Sequence, residues 1–423
     1  MTTRALILIE GNEHGTGLQY VRAAENLGLH AITLSADPAQ YNYLAAEGVE
    51  AIQVDTDSLD ALIYECSRLR ETYEIAGITS AQEKDNATVG KLCRHFDLPG
   101  PNPESIEQCC DKFTQRQLLA EAGVPVPAYR LATNAAEVES SAAEIGLPVV
   151  VKPAVGGIGC IGVRLCRTID ELAEHTTYLL GGKHIWSSAP RVLIEEFARG
   201  PFYEVDTMGD EVIGISAADF DHPPHFRFRE SIFPALLTDE EHERITNVSR
   251  SCLKALSLGW GPSNIELRWT IRGPVVIEVN PRMAGGTRPG RIQLAYGIDL
   301  VTEHLKLVIG AKWDLRRRYL QTTAVRFLLP DSDGILEWIE GNSRAAAVPG
   351  VVDVSLYVQP KMSIVKKGDY RDRIGHVIAA SPSFAQAKAI LQHAAELIDW
   401  SIAPFTIPSQ QEQAALLASQ PPR

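Results

Sequence analysis

The first hundred residues alternate two hydrophobic rhythms. Ala5-Leu6-Ile7-Leu8-Ile9 is a continuous apolar run of strand length, cut off by Glu10-Gly11-Asn12 and followed by Gly15 and Gly17. Leu18, Val21, Ala24 and Leu27 then recur at helical spacing until Gly28 stops them. Residues 30–35 read as a second strand, and Gly77-Ile78-Thr79 as the end of another. Strands alternating with helices predict an open, largely parallel sheet. The Pro- and Gly-rich stretch Leu98-Pro99-Gly100-Pro101-Asn102-Pro103 is expected to be a loop closing this unit.

The pattern then changes. A helix is predicted from Lys112, with Asp111 as its N-cap, ending at Gly123 before Pro125 and Pro127. After it the chain is rich in strand-like runs, at 147–152, 161–166, 191–197 and 203–208. A further section covers about 212–327, and the last hundred residues mix strands (351–358, 376–379) with a helix over 383–399. The expected fold class is α/β and α+β multidomain. The expected divisions are 1–110, 111–207, 208–325 and 326–408, with a disordered tail at 409–423.

Composition narrows the function classes. A chain of 423 residues predicts two to four domains at about 100–200 residues each. Forty Lys and Arg against 53 Asp and Glu leave a net charge of −13, which argues against a general nucleic-acid or anionic-membrane binder while leaving room for a local basic pocket. The seven cysteines contain no C-x-x-C spacing and point to a reducing compartment. The apolar start is too short for a signal segment, and no run approaches the ~20 apolar residues that span a bilayer. A cytoplasmic protein is expected, with no nucleic-acid or membrane partner.

Two clusters carry chemistry. Gly157-Ile158-Gly159-Cys160-Ile161-Gly162 matches G-x-G-x-x-G, but a dinucleotide fingerprint needs a helix next, and Ile161-Gly162-Val163-Arg164-Leu165-Cys166 alternates like a strand. The pattern is strand, glycine loop, strand, with Lys152 just before the turn. Such a loop suits phosphates, because glycine allows unusual dihedrals and close backbone approach. A mobile surface hairpin with a solvated lysine fits these residues equally well.

The second cluster is a pair of strand-like runs, Ser263 to Trp269 and Val275 to Asn280, joined by a turn centred near Arg272. A hairpin symmetric about Arg272 sets Glu266 opposite Glu278, and Asn264 opposite Asn280. Like charges directly opposed destabilise a sheet unless a cation sits between them, and hard oxygen ligands on a rigid hairpin suit Mg²⁺ held together with phosphates. The alternative is a one-residue shift that sends one glutamate to the other face. Arg282 follows at once, placed to stabilise charge on a transferring phosphoryl group. Arg288 and Arg291 lie just beyond.

In order, Asp111-Lys112, Lys152 with its glycine hairpin, Glu195-Glu196-Phe197, and Glu266…Glu278-Val279-Asn280-Pro281-Arg282 resemble the ATP-grasp superfamily. The resemblance implies an ATP-grasp fold with the glycine hairpin as lid, following the N-terminal open parallel sheet. It implies ATP bound by Lys112, Lys152, Gly157, Gly159, Glu195, Glu196, Phe197, Ala198 and Glu204. It implies Mg²⁺, or Mn²⁺, on Glu266, Glu278 and Asn280, with Arg282 catalytic. Relatives carry a glutamate at the position of Phe202, a departure that bears on the ribose role of Glu204.

Within the superfamily the chain looks like the L-amino acid ligases, on Gly11-Asn12-Glu13-His14-Gly15, the proline-rich stretch at 98–103, and Asn280-Pro281-Arg282-Met283-Ala284-Gly285-Gly286. Val348-Pro349-Gly350 and the stretch Asp369-Tyr370-Arg371-Asp372-Arg373-Ile374-Gly375 also fit that group. This implies a carboxylate and an amine as small-molecule substrates, met by Glu230, Arg282, Gly285 and Gly286. The histidine expected near Glu230 is missing, and His222 and His225 are candidates to replace it. The implied reaction is ADP-forming amide or dipeptide synthesis through an acyl phosphate, and homodimers are common in the group. The competing readings are another ATP-grasp activity, a carboxylase or formate-dependent transferase, and a nucleotide-binding non-enzyme.

Overall fold

Four parallel strands, in the order Glu50–Gln53, His30–Ser35, Thr3–Ile9 and Tyr73–Thr79, form the N-terminal sheet of the computed structural model, which describes residues 2–12, 16–156, 158–182 and 189–405. The unbroken apolar run of the first strand has a simple cause: Leu6 and Leu8 pack into one core and Ala5, Ile7 and Ile9 into another, so both faces are covered. Helix Thr16–Asn26 buries Tyr20, Val21 and Ala24, and Gly28 ends the turn after it at φ +74°. The expected loop at 98–103 is shorter than predicted, because Pro103 already opens helix Pro103–Cys110. Asn102 caps that helix by accepting from the Ser105 amide, and proline suits the first helical turn.

Helix Lys112–Glu121 follows, its N-cap Asp111 accepting from the Phe113 and Thr114 amides at 3.0 Å each. It leads into a four-stranded antiparallel sheet, ordered Tyr129–Ala132, Val192–Glu196, Val149–Pro153 and Arg164–Cys166. Helices Ala135–Ile145 and Ile169–Gly181 cover it through Val138, Ala142, Leu172 and Leu179. The strand expected from residue 161 starts only at Arg164. The residues before it are held in a short 3-10 turn, Ile158–Cys160, with Gly159, Cys160 and Gly162 all at positive φ, away from the extended region that a strand needs.

The largest sheet has eight antiparallel strands, in the order Gly273–Asn280, Pro262–Thr270, Phe202–Met208, Glu211–Phe220, Phe228–Phe233, Thr322–Leu328, Gly375–Ser381 and Val351–Leu356. Strand Phe202–Met208 crosses residue 207 and strand Thr322–Leu328 crosses residue 325, so the divisions expected there run through strands of one sheet. Helix Asp239–Ala255, with a capping box between Thr238 and Glu241, packs on one part, and helix Phe384–Glu396 on the C-terminal part. A small sheet of Ser363–Ile364, Gly334–Glu340 and Asp399–Ala403 completes the chain. All seven cysteines are free thiols, and no helix among the described residues is long and apolar enough to cross a membrane. The tail at 409–423 lies outside the described residues.

The two antiparallel sheets are tied at Gly200, whose φ of +142° only glycine adopts easily. A Cβ there would lie 1.9 Å from the Trp269 carbonyl oxygen, and the Trp269 amide donates to Pro201 O at 2.9 Å. Replacing Gly200 with alanine is expected to cost at least ~1 kcal/mol, read as a lowered unfolding midpoint. An unchanged midpoint would show that this junction does not constrain the sheets.

Candidate active site

A cavity of about 1840 Å³ lies between the two antiparallel sheets and reaches the C-terminal ends of the N-terminal parallel strands. Its floor is the long hairpin. Glu266 sits opposite Glu278 and Asn264 opposite Asn280. The route to that pairing differs from the symmetric turn expected: Thr270 faces Gly273, so the turn holds only Ile271 and Arg272, and the register near it is one residue tighter. A bulge between Glu266 and Leu267 then leaves Ile277 unmatched and restores the pairing. On the other side Glu266 faces Glu204, and Asn264 faces Asp206. Three carboxylates therefore run side by side across three strands, backed by an acid and two amides.

This row is compensated unevenly. Lys112 Nζ lies 3.1 Å from Glu278 Oε1, and Arg288 is bonded to Glu204. Among the described residues Glu266 has only the Asn280 side-chain amide, at 3.5 Å. Burial, then the charges of Glu278 and Glu204, push the Glu266 carboxyl above its ordinary range. Burial also opposes the charge on Glu278, but Lys112 and Lys152 outweigh it and hold that carboxyl low. Burial raises Asp206 to about 6, against the pull of Arg288.

The lysines come from separate elements. Lys112 opens its helix and donates to Gly156 O at 2.6 Å, which ties the helix start to the glycine segment. Lys152, on strand Val149–Pro153, lies 2.5 Å from Glu195 Oε2. Arg116, fully buried, holds the other oxygen of Glu195 at 2.6 Å and also donates to the Ile277 carbonyl at the bulge. Glu195 is thus a buried counter-ion: burial opposes its charge, and Arg116 and Lys152 keep it ionised. Glu196 also lines the cavity, with its carboxylate bonded to Arg272 at 2.9 Å. Phe197 and Ala198 line the cavity beside it, and the guanidinium of Arg268 lies 5.5 Å from the Phe197 and Phe202 rings.

Arg282 lies 2.8 Å from Glu83 of the N-terminal unit and donates to Met283 O at 3.0 Å. Gly285 and Gly286 line the cavity, as do Gly159, Glu10, Asn12 and Thr16. Gly157, Glu13, His14 and Gly15 lie outside the described residues. Glu230 is not brought to this site: its carboxylate is bonded to Arg326 at 2.5 and 2.9 Å, and neither it nor His222 nor His225 lines the cavity. The reason is another bulge, between Asp219 and Phe220, which changes the alternation along strand Phe228–Phe233. Among the described residues no three His, Cys, Asp or Glu side chains are grouped to hold a metal by themselves.

The sequence reading missed Arg116, Glu83 and Asp206. For Arg116 a signal existed: it lies one helical turn after Lys112, on the same face. Arg288 and Arg291, which follow Arg282 in the sequence, are both buried and line the cavity, Arg291 donating to the Ser231 carbonyl and hydroxyl.

Comparison with known proteins shows the family and the fold. The family model of the carbamoyl-phosphate synthase L chain ATP-binding domain matches residues 111–316, and that of L-amino acid ligase C-terminal domain 2 matches residues 326–403. An uncharacterised protein of Sinorhizobium fredii, y4rH, is 59% identical over 97% of this chain and 85% of its own. Carnosine synthase 1 of Homo sapiens is 28% identical over 69% of this chain and 38% of its own length. The crystal structure of an L-amino acid ligase from Bacillus licheniformis, 19% identical, superposes with a TM-score of 0.79 over 95% of this chain and 100% of that one, which shows the same fold. The matches together cover both the cavity and the C-terminal region, and the chain accordingly belongs to the ATP-grasp superfamily and, within it, resembles the L-amino acid ligases.

Proposed function

We propose that this ATP-grasp protein is an ADP-forming ligase that joins a carboxylate to an amine, with an amino acid on at least one side, through an acyl phosphate. The observation that carries the reading is the facing pair Glu266 and Glu278, one carboxylate held by Lys112 and the other without a cation among the described residues. Two carboxylates and the Asn280 amide oxygen on a rigid hairpin form a donor set suited to Mg²⁺ or Mn²⁺ shared with nucleotide phosphates. Bound there, the ion would offset charge accumulating on the phosphate oxygens.

The chain's own groups then have definite tasks. Lys112 and Lys152, now spent on Glu278 and Glu195, are the cations that triphosphate oxygens would share. The segment from Glu195 to Ala198 presents backbone groups to the adenine edge, while Glu204 is already committed to Arg288, which competes with a ribose role. A substrate carboxylate oxygen attacks the γ-phosphorus, the bond to the bridging oxygen breaks, and ADP leaves. The amine nitrogen then attacks the acyl carbon, phosphate departs, and the amine loses its proton. Arg282, aimed by Glu83, lies beside the metal-binding residues and stabilises the transferring group. Closure of the glycine hairpin keeps water from the acyl phosphate. Seven free thiols fit the reducing cytoplasm as the setting for this chemistry.

Replacing Glu278 with glutamine removes one charge of the pair and is expected to slow substrate-dependent ADP release by about 100-fold or more; full turnover would remove the metal assignment. Hydroxylamine added to enzyme, ATP and the acid substrate is expected to yield an acyl hydroxamate. A panel of amino acids and small carboxylic acids that supports ADP release without hydroxamate would rule out the acyl phosphate.

A further inference from the structure

The wall of the cavity on its C-terminal side carries a cation that no acid among the described residues neutralises. It comes from the turn around Tyr370–Asp372, which has two buried aspartates and uses both on other partners. Asp369 accepts from the Arg371 amide at 3.0 Å and holds the Arg371 side chain at 2.8 and 2.6 Å. Asp372 accepts from the Lys367 and Gly368 amides at 2.6 and 3.0 Å and lies 3.6 Å from Arg227. The turn is therefore rigid. The next residue, Arg373, projects from it into the cavity.

Among the described residues no carboxylate oxygen lies within 4.0 Å of Arg373, and its Nε is covered and has no acceptor. Three other arginines of the large sheet and its surroundings, Arg288, Arg227 and Arg326, are all ion-paired. The face of the Arg373 guanidinium lies 3.8 Å from the centre of the Phe327 ring and 5.6 Å from that of Phe228. Stacking of this kind satisfies the face of the group and leaves its edge of N–H donors unfilled. Besides burial, which opposes its charge, the titratable groups acting on it are Tyr357, Cys160, Glu204 and Tyr370, in that order. The glycine segment is close by: a Cβ on Gly159 would lie 2.5 Å from the Tyr370 ring.

We propose that Arg373 is an oxyanion-binding residue that the C-terminal region supplies to the active cavity, taking a phosphate oxygen of the nucleotide or the carboxylate of the acid substrate. The inference rests on the ligase reading above. A planar, permanently charged fork suits either anion, and burying such a group beside aromatic rings with no acid to balance it is costly unless an anion joins it. Arg373 lies far in sequence from every residue expected to bind ATP.

The test uses the full chain with Arg373→Met, which keeps the apolar stem on Phe327, and Arg373→Lys, which keeps the charge. Calorimetry with Mg²⁺ measures binding of a non-hydrolysable ATP analogue and of adenosine, and hydroxamate formation measures the apparent affinity for the acid. The methionine variant is expected to lose about tenfold or more in affinity for the analogue with adenosine unchanged, lysine recovering part of it, at an unaltered unfolding midpoint. Unchanged analogue binding with a similar loss for the acid would also support the proposal and identify the anion as the carboxylate. Changes below about twofold in both would overturn it and leave Arg373 a packing residue. Should the methionine variant fail to fold, Arg373→Gln and Arg373→Lys carry the same comparison. A wild-type protein that binds no nucleotide would instead overturn the ligase reading, and this inference with it.

Discussion

Repulsion among Glu204, Glu266 and Glu278 is the constraint around which the molecule is arranged. Neighbouring strands bring these groups together in a partly buried place, where water screens them poorly. The hairpin's own cation in the cavity, Arg268, is set against the Phe197 and Phe202 rings. Relief comes from elsewhere: Lys112 from the start of a helix 150 residues earlier, and Arg288 from the helix that follows the hairpin. Two of the three acids that this sheet carries are thus paired by elements outside it.

The same reasoning explains Glu195. An acid at that depth would ordinarily be neutral, yet it lies between Arg116 and Lys152. Arg116 also reaches the Ile277 carbonyl, so one buried side chain joins the smaller sheet to the bulge that places Glu278. Buried charge of this kind adds little net stability. Its effect here is geometric: it fixes where two lysines and a carboxylate stand relative to one another.

Local pattern made a good deal of this legible. The continuous apolar run at 5–9, the Asp111 cap and the strand limits at 30–35 follow from periodicity and capping, which depend on near neighbours. Facing glutamates were also legible, though through a symmetric turn that the molecule does not have. The tight turn at Ile271-Arg272 and the bulge at Ile277 are two deviations that cancel. Glu230 was placed at the substrate site by resemblance alone, and in the molecule it pairs with Arg326 instead. Bulges and long-range ion pairs such as Arg282 with Glu83 depend on which strands and helices meet, and no spacing within one segment reports that. Arg373 was unreadable for the same reason: its significance is the lack of an acid in three dimensions.

Strand Thr322–Leu328 is hydrogen-bonded to Phe228–Phe233 on one side and to Gly375–Ser381 on the other. The C-terminal region is thus woven into the same sheet that carries the floor of the cavity and is not an appended module. An exchange of this region between relatives would have to preserve the register of both seams at once. Such proteins should therefore diversify by residue replacement within the region more readily than by shuffling it.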